Sequence, residues 1–152
     1  MRYFIILLLL FSLFQFSCRN NVFFESAVTF EQGWHKDSVA VFNVSIQDTS
    51  RVMDFILTFK HLEDYGFCNL WIFASVENLE LNTVQKDTLE LYMSYPDGRW
   101  FGRKSGKYRY ISTYYKHNAK MANPGNYIFK FQQGMRVDNI KEIKEVELTI
   151  SD

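Results

Sequence analysis

Three histidines, His35, His61 and His117, and two cysteines, Cys18 and Cys68, are the side chains best suited to hold a metal or attack a substrate. No two of them stand at the short spacings that present paired ligands to zinc, so no metal centre is expected. His61 and Cys68 are near enough in sequence to suggest a nucleophilic pair, which needs only spatial closeness. The plainer reading makes His61 a surface residue and Cys68 a small buried hydrophobe. The carboxylates Glu63, Asp64, Asp87, Glu90 and Asp97 would suit glycoside hydrolysis if two of them flanked a sugar. Any domain of this size offers as many, so the pattern selects none. The stretch from Gly98 to Gly106 is basic and ends in Lys104-Ser105-Gly106, close to a phosphate-binding loop. Its glycine spacing is wrong, and Trp100 and Phe101 stand where bare backbone amides would cradle phosphate. It reads as a hairpin connection. Trp34, Trp71 and Trp100, with nine tyrosines, suit either a sugar-stacking platform or the core and surface of a sheet. The expectation is a protein without catalysis, cofactor or metal.

Cys18 has a more specific setting. Arg2 precedes an apolar run over residues 4–11, and Ser17 stands directly before the cysteine. A basic start, a short apolar stretch and a small residue at the cut are the parts of an export signal. The run is short for a membrane span, which needs roughly 20 apolar residues. A cysteine in this position resembles the end of a bacterial lipoprotein signal, where cleavage before Cys18 is coupled to acylation of its thiol and new amine. Gln15 stands where that pattern has leucine. The expected division is a signal peptide over 1–17 and one domain over 18–152. Several acyl chains on Cys18 would hold the protein firmly, since one chain alone binds marginally. The alternative use of the thiol is a Cys18–Cys68 disulfide in an oxidising compartment.

The whole chain of 152 residues carries 17 basic and 17 acidic side chains. That balance argues against nucleic-acid binding, which shows as a basic patch or a high isoelectric point. Apolar residues make up 47% and aromatic ones 18%, enough to exclude a disordered chain.

The elements that must carry these residues alternate with a period of two. Val22, Phe24, Ser26, Val28 and Phe30 share one face of a first expected strand. Ala40, Phe42, Val44 and Ile46 share the inner face of a second. Met53, Phe55, Leu57 and Phe59 do so in a third, and Leu70, Ile72, Ala74 and Val76 in a fourth. Leu89, Leu91, Met93 and Tyr95 form a fifth, followed by strands over 108–115, 127–132 and 146–150. Alternation buries one face of each strand and wets the other. Pro96-Asp97-Gly98 is the strongest turn, since Pro presets φ and Gly accepts a positive one. About eight short strands with such turns predict an all-β antiparallel sandwich, jelly-roll or immunoglobulin-like. Only 53–62 and 138–147 admit a helical reading. The odd-residue alternation favours strand in the first, and Ile140 with Ile143 allows a helical turn or two in the second.

Several segments together resemble a family. They are Asn69-Leu70-Trp71, Asp87-Thr88-Leu89-Glu90, Asp97-Gly98-Arg99-Trp100-Phe101-Gly102, Gly125-Asn126-Tyr127-Ile128-Phe129 and Gln133-Gly134-Met135-Arg136. The chain resembles the GldH gliding-motility lipoproteins of Bacteroidetes. That resemblance implies a non-enzymatic envelope lipoprotein of the gliding machinery, which shares components with type IX secretion. The implied partners are other envelope proteins of that assembly and the membrane, reached through the acyl chains on Cys18. The outer membrane, periplasmic side, is the expected location, because Arg19, Asn20 and Asn21 lack the acidic run that resembles a surface-export tag. In Gln133–Arg136, Gly134 would permit a bend and Arg136 would pair beneath it. The expected docking residues are Arg99, Trp100, Phe101 and Arg103, since Trp and Arg dominate interface hot spots and a hairpin tip presents them. The alternative is a carbohydrate-binding lipoprotein, which would show Trp71 and Trp100 coplanar and exposed in one groove.

Overall fold

The computed structural model describes residues 21–152, so the expected signal segment 1–17 and Cys18 lie outside the described residues. Every regular element described is a strand. The eight long ones are β1 (Val22–Thr29), β3 (Val39–Ile46), β4 (Met53–Leu62), β5 (Asn69–Asn78), β6 (Thr83–Tyr92), β8 (Tyr108–Ala119), β9 (Gly125–Gln133) and β11 (Ile143–Ser151). Three short ones accompany them: β2 (Trp34–His35), β7 (Arg103–Ser105) and β10 (Asn139–Ile140).

One sheet has the order β1-β11-β4-β8-β7 and the other β3-β9-β5-β6. The antiparallel pairs β1–β11, β3–β9, β4–β8 and β5–β6 nest inside one another. The chain is therefore one long hairpin, with its head at the β5–β6 turn, rolled into two facing sheets. That is a jelly roll. An immunoglobulin fold would instead segregate its strands into a different pair of sheets.

The inner faces carry the expected residues. Ala40, Phe42, Val44 and Ile46 are buried, as are Met53, Phe55, Leu57 and Phe59, and Leu70, Ile72, Ala74 and Val76. Phe129 of β9 meets Phe55 of the opposite sheet across the core, ring centroids 5.5 Å apart, and Phe131 packs beside Phe42 of the neighbouring strand β3 at 6.1 Å. One end is closed by β2 and β10. Trp34 is fully buried there, stacked on Phe30 at 5.3 Å, and its Nε1–H donates to the Ser38 carbonyl at 2.9 Å. That bond satisfies the one polar atom of a large apolar side chain.

Three expectations change. The segment 138–147 holds no helix: Ile140 lies in β10 and Ile143 opens β11, both buried. The fifth expected strand begins earlier, at Thr83, and ends at Tyr92, which leaves Tyr95 exposed in the following hairpin. Its first half lacks the apolar signal because Asp87 and Gln85, which share the strand phase of Leu89 and Leu91, are polar. They accept hydrogen bonds from Tyr115 Oη at 2.7 Å and Lys116 Nζ at 3.0 Å on β8. The third change inverts a pair: His61 is buried and Cys68 is exposed.

Candidate functional site

His61 continues the inward phase of β4 after Phe59, which is why it is buried. Its Nδ1–H donates to the Leu62 carbonyl at 2.8 Å, and its ring packs 5.1 Å from Trp100 and 5.7 Å from Tyr65. Cys68 sits in the connection before β5, is exposed and has no disulfide partner among the described residues. Among the described residues no hydrogen bond joins His61 to Cys68, so the nucleophilic pair is not assembled. Burial holds the His61 pKa below its ordinary value. The Arg109 guanidinium acts in the same direction, while the Leu62 hydrogen bond and Glu63 oppose it. An unfolded chain therefore takes up a proton at His61 more readily than the folded one. This contribution to stability is present above pH 6.5 and declines as pH falls below it. We expect the thermal midpoint to drop between pH 7.5 and pH 5.5, with His61→Met reducing that drop. Midpoints of the two proteins across this range check it; parallel curves would refute it.

The hairpin between β6 and β7 folds back on the sandwich. Gly98 has φ +85°, and its N–H donates to the Tyr95 carbonyl at 2.9 Å, as the Pro96-Asp97-Gly98 turn requires. Arg99 is exposed; its Nε–H donates to Asp97 Oδ2 at 2.8 Å, and its guanidinium lies 5.0 Å from the Tyr95 ring centre. Trp100 is half-buried, its ring against His61 and Tyr65. Phe101 is half-buried with its ring centre 4.0 Å from that of Tyr95. Arg103 is exposed, 4.6 Å from the Tyr110 ring centre. The two arginines stand at the surface, and the two aromatics form the hairpin's footing.

A different set of side chains forms the most concentrated surface feature. On β5 the outward residues are Trp71, 38% exposed, and Phe73, 51% exposed. Beside Phe73 in register are Gln132 on β9 and Thr88 on β6, and Gln132 in turn pairs with Val39 on β3. Where β9 ends, Gln133 stitches a turn: its Oε1 accepts from the Met135 N–H at 2.8 Å and its Nε2 donates to the Val137 carbonyl at 2.9 Å. The Gly134 N–H donates to the Trp71 carbonyl at 2.7 Å, and the Trp71 N–H donates to Met135 Sδ at 3.3 Å. Two segments far apart in sequence, 69–71 and 133–137, thus become one surface. Phe67, Trp71, Met135 and Val137 line an open depression of about 500 Å³ with Arg136 at its rim. A second, of about 440 Å³, lies beside Phe73 and Val39.

This corrects the expected roles in the Gln133–Arg136 segment. Arg136 is exposed and has no hydrogen bond or ion pair among the described residues. The pairing beneath the turn that was expected of Arg136 is made by Gln133. Gly134 provides room, since a Cβ there would stand 3.1 Å from the Phe73 ring. The signal for Trp71 and Phe73 was present in the sequence, because both occupy the wet phase of an otherwise apolar strand.

The family model for GldH lipoproteins matches residues 21–150, which includes both segments of this surface. The chain belongs to the GldH lipoprotein family. A gliding motility lipoprotein GldH homolog of Christiangramia forsetii is 32% identical over 117 residues, 74% of this chain and 72% of that protein. The gliding motility lipoprotein GldH of Flavobacterium johnsoniae is 29% identical over 130 residues, 86% of this chain and 80% of that one. Among solved structures, a fructofuranosidase from Schwanniomyces occidentalis overlaps at a TM-score of 0.43 with 12% identity, over 90% of this chain and 35% of that chain. A similarity that slight carries no functional argument. As a GldH lipoprotein the chain is a lipid-anchored protein of the cell envelope. The two-tryptophan platform of the carbohydrate reading is not assembled. Trp71 faces solvent on β5, whereas Trp100 packs on His61 and Tyr65.

Proposed function

We propose that this GldH lipoprotein is anchored by acyl chains on Cys18 to the periplasmic face of the outer membrane. There it acts without catalysis as an accessory component of the gliding motility and type IX secretion machinery. Its output is binding energy to other envelope proteins. The observation that supports this is the outward aromatic pair of β5: Trp71 lines one depression with Met135 and Arg136, and Phe73 lines the next. Large, stiff side chains with few rotamers to lose, rimmed by an arginine, are the composition of interface hot spots. One backbone hydrogen bond, from Gly134 to Trp71, the Met135 sulfur contact to the Trp71 N–H and the two bonds of the Gln133 side chain hold this surface in shape. Arg99 and Arg103 on the neighbouring hairpin extend the docking surface, with Trp100 and Phe101 supporting them from below.

The test is Trp71→Ala combined with Phe73→Ala. Both side chains are substantially exposed, so truncation leaves the thermal midpoint within a few degrees. Recovery of crosslinked envelope proteins from membranes should fall by about tenfold or more, the loss expected of one hot-spot residue. Undiminished recovery by a folded double variant would refute this surface as the docking site.

A further inference from the structure

The rolled hairpin brings one set of loops together at a single end of the sandwich. Val22 pairs with Ser151, Met53 with Ala119, and Ile46 with Gly125. The Leu79 N–H donates to the Asn126 carbonyl. The start of β1, the β3–β4 and β8–β9 loops and the β5–β6 turn are therefore neighbours. Cys18 is four residues before Val22, so an extended chain spans at most about 14 Å between them. With acyl chains on Cys18, as proposed above, this is the end brought nearest the lipid surface.

The residues displayed there are unusual for turns, which favour Gly, Pro, Asn, Asp and Ser. Val22 is 50% exposed, Leu79 51% and Leu81 49%; Val52 and Phe23 are exposed beside them. The two leucines are held on a stiff frame. Asn78 Oδ1 accepts from the N–H groups of Glu80 at 3.0 Å and Leu81 at 3.1 Å, and Glu80 accepts two hydrogen bonds from Asn126 at 2.8 Å. The carboxylates of this end are each engaged: Asp48 with Ser50, Asp54 with His117, Glu80 with Asn126 and Asp152 with Arg51. The Arg51 guanidinium in turn covers Phe23 at 5.1 Å. Strands lie about 4.8 Å apart, so β1 and the β5–β6 turn mark corners of a base wider than a single loop.

We propose that this end is a membrane-contact base. Val22, Val52, Leu79 and Leu81 rest in the lipid headgroup region and fix the domain upright on its anchor. Exposed apolar side chains beside an acyl anchor have lipid as their nearest apolar phase. A strand of ten residues is roughly 33 Å long, so the opposite end, with the β7–β8 turn, stands clear of the surface. Trp71, near the start of β5, is then held off the membrane for partners. The inference rests on acylation of Cys18.

The test uses the acylated full chain with Cys68→Ser, bound to vesicles of phosphatidylethanolamine and phosphatidylglycerol. A dye is placed on Leu81→Cys, Val52→Cys or Ser105→Cys, and the lipid carries a headgroup spin quencher. The dyes at Leu81→Cys and Val52→Cys should lose their fluorescence, and the dye at Ser105→Cys should keep it. With Leu79→Glu and Leu81→Glu together, the protein should still sediment with vesicles while the Val52→Cys dye recovers. Equal quenching at both ends, or no recovery in the glutamate variant, would overturn the base. A wild type that does not sediment would sink the anchor and the base together. Sedimentation with unquenched Leu81→Cys would sink the base alone.

Discussion

Trp100→Ala is expected to lower the stability of the folded domain by about 3 kcal/mol, at the lower end of the range for truncating a large aromatic side chain. The ring is half-buried, which sets the low end. What it touches sets the size of the effect. His61 and Tyr65 lie 5.1 and 6.2 Å away, and both are buried. Tyr65 donates from its hydroxyl to the Asn69 carbonyl at 2.8 Å, two residues before Trp71. Its ring also meets Phe67, at 5.6 Å, on the wall of the depression. Removing Trp100 opens a void beside this row and exposes the His61 ring to water. The midpoint should fall by roughly 10 °C for a domain of this length. Recovery of partners should fall through loss of folded protein, and return when the experiment is run well below the midpoint. Trp100→Phe should lose much less. A Trp100→Ala protein with an unchanged midpoint would return Trp100 to the role of a projecting docking residue. Thermal unfolding of the three proteins decides between them.

The parts of this fold that were legible in the sequence are those where one local rule acts alone. In β3, β4 and β5 alternation matches burial residue by residue, because both faces of each strand have a single environment. His61 was legible on the same ground, since it keeps the odd phase of Met53 to Phe59. Its residue type suggested a surface position, and the strand phase overrode that. The beginning of β6 was not legible, because Asp87 and Gln85 stand in the phase of Leu89 but are satisfied by side chains of β8, a strand of the other sheet that only the packing of the two sheets brings near. The same limit applies to the site. Trp71 and Phe73 could be seen as outward aromatics, yet their union with Met135 and Arg136 depends on the β5–β9 register. Trp100 sits after a well-formed turn and would project from a free hairpin. Only the tertiary neighbours His61 and Tyr65 bend it inward.

Gly102→Ala should be the most damaging small substitution in this hairpin, at roughly 4 kcal/mol when left-handed strain and overpacking are combined. Gly102 has φ +75°, a conformation costly for any residue with a Cβ. Gly98, at φ +85°, and Gly106, at φ +60°, share that property, but an added Cβ meets nothing within 4 Å at either. At Gly102 the added carbon would collide with the Tyr110 carbonyl oxygen and stand 2.9 Å from its carbon and 3.0 Å from the Ile111 Cα. These are backbone atoms of β8, so no rotamer change relieves the contact. The hairpin must lift from the sheet. That breaks the adjacent Arg103–Tyr110 pairing of β7 with β8 and withdraws Trp100 and Phe101 from their places. Gly98→Ala carries the conformational penalty without the collision, and should cost about 1 kcal/mol. The two alanine variants therefore differ by the steric term alone. Urea unfolding should place the midpoint of Gly102→Ala far below that of Gly98→Ala, at similar slope. Equal midpoints would mean that the close approach of Gly102 to β8 is not what this glycine provides.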